Sequence, residues 1–241
     1  MRVAMVVSTV GFHWEELYDA YKEFKRAGWD IKLYTVNGHR PKGDPQSLEK
    51  REVMSAFGLG LSDSFSPETE TGKEIHEKFD GVEPIGNLIT DEIDAIYLPG
   101  GHGCLFDVNI DRQLHQKVLE AYQKDKILSA VCHGTSTFGF VNDGNHSIVE
   151  NKKMTGFPEL LDDILLKVGW VHEKFTPIPF SNEEKMKKSG AKVSGLNFFY
   201  SLFNPSHTEV DYPFVTGIGP KAAETVAKKV IKLKEKELQR A

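Results

Sequence analysis

Short runs rich in valine and isoleucine alternate with segments of helical periodicity along this chain of 241 residues. The apolar runs predict strands over residues 3–8, 31–36, 95–98, 127–131 and 214–216. The periodic segments predict helices over residues 14–27 and 112–124 and from residue 220 onward. This alternation is typical of a parallel sheet with helices on both faces. We therefore predict one α/β domain, in which residues 38–90 and 171–212 are insertions or decorations.

The composition argues against several classes of partner and location. A net charge of −5 disfavours nucleic acid or an anionic membrane as the main partner. The two cysteines form neither a disulfide framework nor a CxxC motif, which favours a reducing, cytoplasmic location. The apolar run at the N-terminus is too short for a signal peptide or a membrane span. We expect a soluble globular protein.

The string SAVCHGTSTFGF, residues 129–140, places a cysteine where a buried strand is predicted to end and a helix to begin. A sharp turn there lifts the side chain of Cys132 above the sheet, and Gly134 gives the backbone room to turn. Free N–H groups at the helix start favour a thiolate and stabilise an oxyanion. We therefore predict that Cys132 is a reactive thiol with a lowered pKa. The spacing leaves open whether His133 is a general base or only a residue at the helix start.

A second glycine-rich string, PGGHG at residues 99–103, follows the predicted strand over residues 95–98. Ligands of parallel sheets bind at the carboxyl ends of the strands, so this turn and the Cys132 turn should face one crevice. Its backbone N–H groups are candidates for an oxyanion hole beside the thiol. The other cysteine, Cys104, lies just past this turn and is interpreted as a structural residue or an incidental thiol.

These two turns and an early GFHWEE string resemble the ThiJ/PfpI superfamily. The order and spacing of PGGHGCLFDV, AVCHGTSTF, KKMTGF and FVTGIGP resemble more closely its heat-shock-protein-thirty-one-like, or glyoxalase III-like, class. The resemblance spans most of the chain and implies a flavodoxin-like sheet. It also implies a nucleophile at Cys132, a triad partner at His133 and an assisting carboxyl group at Glu16.

The resemblance places the third triad member on an acid after the TGF string. In the family register it falls on Asp162, with Glu159 and Asp163 as nearby competitors. The remaining implied positions are the oxyanion-hole N–H groups of Gly101 and His133 and the pocket residues His102, Gly100 and Gly134.

In this class the reaction converts methylglyoxal, a small α-oxoaldehyde, to lactate without a cofactor or glutathione. The resemblance implies that Cys132 adds to the aldehyde as a hemithioacetal and that Glu16 or His133 moves a proton through an enediol. Glu16 should have a raised pKa, from burial and from the negative sulfur, to act as acid and base. The family also implies a homodimer and includes claims of protein deglycase and chaperone activity.

Other functions of related folds are alternatives. A class I glutamine amidotransferase pairs its cysteine with a distant histidine and glutamate, for which His207 and Glu209 are candidates. Isonitrile hydratases and PfpI-type peptidases share the fold, and fold alone does not fix function. A redox sensor or holdase chaperone is a non-enzymatic alternative. Residues 196–203 are its candidate apolar patch, although we interpret this string as a core or dimer segment.

No metal or cofactor is expected from the sequence. The nine histidines are scattered, and none forms a His-x-x-x-His pair on a predicted helix. Only ligands from distant loops, such as His13, His76 or His102, could converge on a metal. The string STVGFHWEE lacks the glycine spacing of a dinucleotide-binding motif.

Overall fold

The computed structural model describes residues 1–48 and 68–239, and its centre is a seven-stranded sheet. The strands in this part of the chain are β1 (Arg2–Val6), β2 (Asp30–Thr35), β3 (Glu83–Pro84), β4 (Ala95–Leu98), β5 (Ile127–Val131), β6 (Asn142–Asp143), β7 (His146–Ser147), β8 (Lys153–Met154), β9 (Lys192–Val193), β10 (Thr208–Asp211) and β11 (Phe214–Gly217). The main sheet has the order β10-β11-β5-β4-β1-β2-β3, and β6-β7 and β8-β9 form two small sheets. In the main sheet only the β10–β11 pair is antiparallel. The predicted parallel α/β class is confirmed.

Helices cover both faces of this sheet. They are α1 (Trp14–Arg26), α2 (Glu70–Lys78), α3 (Arg112–Gln123), α4 (Glu159–Lys167), α5 (Asn182–Lys188), α6 (Asn197–Phe203) and α7 (Ala223–Leu238). Successive side chains of a strand point to opposite faces, so β1 contributes to two cores. Val3 and Met5 pack in the cluster that contains α1 and α7, whereas Ala4 and Val6 pack in the cluster that contains α3. None of the helices in residues 1–48 and 68–239 combines the length and apolar character needed to cross a membrane.

The predicted strands correspond to β1, β2, β4, β5 and β11, and the predicted helices to α1, α3 and α7. The apolar runs did not predict β3 and β10, which are the two edge strands of the main sheet. Their residues are half-buried or exposed, so neither strand has the apolar run of a central strand. Both lie in stretches predicted as insertions, and those stretches therefore supply the sheet edges. Residues 49–67 of the first stretch lie outside the described part of the chain.

Helix α6 contradicts the interpretation of residues 196–203 as a core segment. Phe203 is 81% exposed and Phe199 is 54% exposed. The buried residues of this helix are instead the polar Asn197 and Ser201. The alternative interpretation as a dimer segment stays a prediction.

The register of β4 and β5 places the two glycine-rich turns side by side. Leu98 pairs with Ala130, so both turns begin at the same edge of the sheet. The turns also touch, because a Cβ atom on Gly134 would lie 2.7 Å from the carbonyl oxygen of Leu98. A residue with a side chain would therefore force the two turns apart. The crevice predicted at the carboxyl ends of the strands begins here.

Candidate active site

Cys132 follows β5 directly and has a left-handed backbone conformation, with a φ angle of 54°. This conformation is uncommon for a residue with a side chain and is often found at functional sites. The next residues form a 3-10 helix, Cys132–Phe140. Its first turn is held by Nδ2 of Asn109, which donates to the His133 carbonyl over 2.7 Å, and by the Thr135 hydroxyl, which donates to the Cys132 carbonyl over 2.8 Å. The sulfur is thus held by a well-bonded turn.

His133 joins Cys132 to Asp162. Its Nδ1 lies 3.3 Å from the Cys132 sulfur, and its Nε2 lies 3.0 and 3.1 Å from the two Asp162 carboxylate oxygens. The sequence left open whether His133 faces the thiol, and in the structure it does. All three side chains are buried, where electrostatic contacts are stronger than in water. This arrangement can accept a proton from the sulfur and stabilise the resulting imidazolium.

Asp162 reaches His133 because helix α4 turns it inward. Glu159 and Asp163, the competing acids of the sequence analysis, are exposed on the same helix. Burial alone would raise the pKa of Asp162, but the neighbouring His133 and His102 outweigh burial and lower it to about 2. Asp162 is therefore a carboxylate at neutral pH.

Glu16 is fully buried in the first turn of α1, on the other side of the sulfur. Its Oε2 accepts the N–H of Gly100 over 2.5 Å, and its carboxyl group lies close enough to Cys132 to affect the pKa of the thiol. The Tyr97 hydroxyl donates to the backbone carbonyl of Glu16 over 2.8 Å and fixes this turn. Burial raises the pKa of Glu16 to about 8, and the hydrogen bonds oppose that rise. The predicted raised pKa is confirmed, but the sulfur is not its cause.

The prediction of a lowered thiol pKa for Cys132 is wrong. Burial raises the pKa of the Cys132 thiol well above its ordinary value, and the nearby Glu16 adds to the rise. The backbone N–H of His133 opposes the rise but does not cancel it. Cys132 is only 3% exposed, so little water stabilises a thiolate. The resting site therefore holds a thiol whose proton has a nearby acceptor in His133.

Glu15, the acid next to Glu16 on α1, has a different environment. It is equally buried, but its Oε1 accepts from Nζ of Lys221 over 2.7 Å. This ion pair links α1 to the turn before α7. Glu15 does not line the cavity beside the sulfur.

A small cavity opens beside Cys132. Its apolar wall consists of Phe157, Leu165, Trp170 and Pro220, and its polar wall includes His13, Asp44, Gln46, Ser47 and His102. Of the predicted pocket residues, His102 lines the cavity. Gly100 and Gly134 do not, because Gly100 faces Glu16 and Gly134 faces the β4 turn.

The predicted oxyanion-hole residues, Gly101 and His133, both line this cavity. Gly101 has a φ angle of 105°, which a residue with a side chain rarely adopts. The N–H group of Gly100 is engaged by Glu16 and is not available to an oxyanion. That the backbone N–H groups of Gly101 and His133 stabilise an oxyanion stays a prediction.

Sequence reasoning missed Asp44, which lies in a stretch interpreted as decoration. Its Oδ2 lies 3.2 Å from Nδ1 of His102, and both groups are buried. Burial opposes a charge on His102, but Asp162 and Asp44 outweigh it and raise the pKa of His102 to about 9. A bridge between Phe12 and Gly43 brings Asp44 to this position, and no short sequence pattern indicates that bridge.

Two alternative constellations can be located. His207 and Glu209 pair with each other at 3.3 Å, and His207 stacks on Tyr200 with 4.3 Å between ring centroids, so the amidotransferase candidates do not line the Cys132 cavity. Among the described residues, one set of possible metal ligands lies within 4.8 Å of one another, namely His102, His133 and Asp162.

The fold and site define an α/β protein with a cysteine at a strand–helix turn and a buried carboxyl partner. A profile of the DJ-1/PfpI family matches residues 1–233, and the chain belongs to that family. It is 26% identical over 229 residues to the glutathione-independent glyoxalase hsp3101 of Schizosaccharomyces pombe, covering 93% of this chain and 88% of the relative. It is 25% identical over 224 residues to glyoxalase 3 of Candida albicans, covering 90% of this chain and 86% of the relative.

A solved structure of similar fold is glyoxalase III from Candida albicans. The superposition has a TM-score of 0.72 with 22% identity and covers 96% of each chain. At that identity the likeness supports the fold alone. The resemblance inferred from the sequence motifs is thus confirmed at the level of the family.

Proposed function

We propose that this chain is a glutathione-independent glyoxalase that converts small 2-oxoaldehydes, such as methylglyoxal, to 2-hydroxy acids. The observation that carries the proposal is the buried chain of contacts from Cys132 through His133 to Asp162, with Glu16 against the sulfur. Two relatives matched over about nine-tenths of the chain, and named as glyoxalases, support it.

The first step forms the carbon–sulfur bond. His133 accepts the thiol proton through Nδ1, and the sulfur electron pair attacks the aldehyde carbon. The aldehyde oxygen becomes negative, accepts hydrogen bonds from the N–H groups of Gly101 and His133, and then takes up a proton. The product of this step is a neutral hemithioacetal on Cys132.

The second stage moves hydrogen from the first carbon to the second. Loss of the proton on the first carbon sends its electron pair toward the second carbonyl oxygen and gives an enediol. Protonation of the second carbon then gives a thioester, and water hydrolyses it to the 2-hydroxy acid and the free thiol. Glu16, with a pKa of about 8, and His133 are the groups near the sulfur that can exchange these protons. The aldehyde carbon is oxidised and the ketone carbon is reduced, so no external oxidant is needed.

Lactate formation from methylglyoxal without added thiol tests the proposal. We expect turnover by the wild type, a loss of at least about 10³-fold for Cys132→Ala and of at least about 10²-fold for Glu16→Gln. Cys104→Ala is the matched control, because Cys104 donates to the Pro99 carbonyl and does not line the cavity. Absence of wild-type turnover, or turnover retained by Cys132→Ala, would reject the proposal.

The burial of the sulfur favours a small free aldehyde as the substrate. Cys132 is 3% exposed at the base of the cavity, so an adduct on the surface of another protein would reach it poorly. One relative, HchA of Escherichia coli, is named as a protein and nucleic acid deglycase and is 24% identical over 207 residues. Deglycase activity of this chain is therefore a weaker candidate than turnover of free methylglyoxal.

A further inference from the structure

Two imidazole nitrogens in the wall of the Cys132 cavity are buried and have no hydrogen-bond partner in the described part of the chain. They are Nδ1 of His13 and Nε2 of His102. Buried polar atoms are nearly always paired in native proteins, so two such exceptions in one cavity require an explanation. The mechanism through Cys132, His133 and Glu16 uses neither of them. A polar ligand in the cavity would satisfy both.

The groups around His102 fix its ring and its charge. Asp44 holds Nδ1 at 3.2 Å, and Asp162 lies 3.7 Å from Nε2, close enough for attraction but too far for a hydrogen bond. The ring of His133 lies 4.9 Å away between centroids, and Phe175 stacks at 6.0 Å.

Asp44 is itself held in place. Its N–H donates to the carbonyl of Phe12 over 2.7 Å, and its Oδ1 accepts the N–H of Gln46 over 3.0 Å. Because two carboxylates outweigh burial, the pKa of His102 is about 9 and the ring is an imidazolium at neutral pH. Nε2 of His102 is then a charged N–H donor beside the cavity.

His13 complements this cation with a neutral ring. Burial is the main cause that lowers the pKa of His13 to about 4, and the charge of Asp44 opposes this shift only in part. Its backbone N–H donates to the Gly100 carbonyl over 2.9 Å, so the residue is fixed at the start of α1. Nδ1 of a neutral imidazole can donate or accept a hydrogen bond, depending on the tautomer. The wall of the cavity therefore holds one charged N–H donor, His102, and one neutral imidazole, His13, that can donate or accept a hydrogen bond.

We propose that His102 and His13 bind the second oxygen atom of the substrate, which lies on the carbon next to the one that Cys132 attacks. This inference rests on the proposed function and names the recognised class: small molecules with oxygen atoms on two adjacent carbons. When the first carbon loses its proton, negative charge develops on that oxygen and a hydrogen bond from Nε2 of His102 stabilises it. Asp44 acts through His102 and is a positioning residue.

Acetohydroxamate tests this binding separately from turnover. It carries oxygen on two adjacent atoms, as the enediol of methylglyoxal does, whereas acetamide carries one. Calorimetry at pH 7.5 with a chelator present should show that the wild type binds acetohydroxamate at least tenfold more tightly than acetamide. His102→Gln should reduce this preference to less than twofold, and His13→Gln and Asp44→Asn should each reduce it at least threefold.

The controls separate this inference from the proposed function. His146→Gln changes a surface histidine on β7 that pairs with Glu150, and it should keep the wild-type preference. Circular dichroism checks folding, and Asp44→Asn, which retains the imidazole, carries the test if His102→Gln does not fold. A wild type without the preference, or folded variants that retain it, overturns the inference. Absence of methylglyoxal turnover with the preference intact rejects only the proposed function.

Discussion

The turns after β4 and β5 are alike in sequence but differ in chemistry. Each is rich in glycine, follows a buried strand and carries a buried thiol, Cys104 in the first and Cys132 in the second. Burial raises the pKa of both thiols. Cys104 donates to the Pro99 carbonyl, which cannot accept a proton outright, whereas Cys132 faces His133 and Glu16. The comparison shows that a proton-accepting neighbour, rather than burial or a low resting pKa, distinguishes the candidate nucleophile.

We expect the largest difference in kcat when the carboxylate that contacts each turn, Asp162 or Asp107, is replaced. Asp162→Asn removes the charge that orients and stabilises His133, and we expect kcat for methylglyoxal to fall by about 10³-fold. Asp107→Asn is the counterpart at the β4 turn, where Asp107 accepts from the Ser8 hydroxyl and the Thr9 N–H. It should lower the melting temperature and change kcat by less than tenfold. Equal losses of kcat would remove the distinction.

The raised pKa of Glu16 makes the stability of the protein depend on pH. This pKa is about 8 in the folded chain, against an ordinary value of 4.5. The folded state therefore keeps a proton that the unfolded chain has released, and this contribution to stability is lost as pH rises from 4.5 through 8. Glu16→Gln removes that loss. Relative to the wild type, the free energy of unfolding of the variant should rise by about 4 kcal/mol between pH 5 and pH 9.

Melting curves at the two pH values measure this shift. For a chain of this size it corresponds to roughly 6 °C or more in the difference between the melting temperatures. Glu23→Gln is a useful second variant, since Glu23 is buried on the same helix but pairs with Arg26. A difference between Glu16→Gln and wild type that is the same at both pH values would contradict the raised pKa.

Alkylation compares the two thiols directly. Iodoacetamide at pH 8 should modify Cys132 at least about 30-fold faster than Cys104 in the native protein, because Cys132 lines the cavity and has a base beside it. Mass spectrometry of the digested protein gives both rates. In denaturant the two rates should become similar. Native rates within threefold of each other would show that His133 does not activate the sulfur.

The smallest expected effect concerns the His102 imidazolium in the β4 turn. Asp44→Asn removes one of its two carboxylate partners, so the pKa of His102 should fall from about 9 by about one unit. Nitrogen NMR of the imidazole ring follows this titration. Asp91→Asn, which changes an exposed acid paired with Lys124, should leave it unchanged. An unchanged His102 pKa in Asp44→Asn would show that Asp162 alone holds the charge.

The sequence predicted the elements that are apolar and local. β4 is an apolar run, and β5 is one interrupted only by Ser129, because both faces of each strand are buried. The position of Cys132 at the end of β5 followed from the same pattern. Glu16 and Asp162 came from the family register, and α1 and α4 do bring both side chains to the site.

The rest depended on contacts between residues far apart in the chain. Asp44 reaches His102 across 58 residues, and β10 joins the sheet only through its antiparallel partner β11. No short pattern encodes either contact. The raised pKa of Cys132 was also beyond the sequence, because it depends on how completely the folded chain excludes water from the sulfur.

Gly100 contacts three of the groups at the site. Its N–H bonds to Glu16, its carbonyl accepts from His13, and a Cβ atom on it would lie 2.9 Å from that of Cys132. A substitution here would disturb acid, histidine and nucleophile together. Substitutions that change substrate preference should therefore occur at other cavity residues, such as Leu165 and Trp170. There a side chain can change in size while the reacting groups keep their positions.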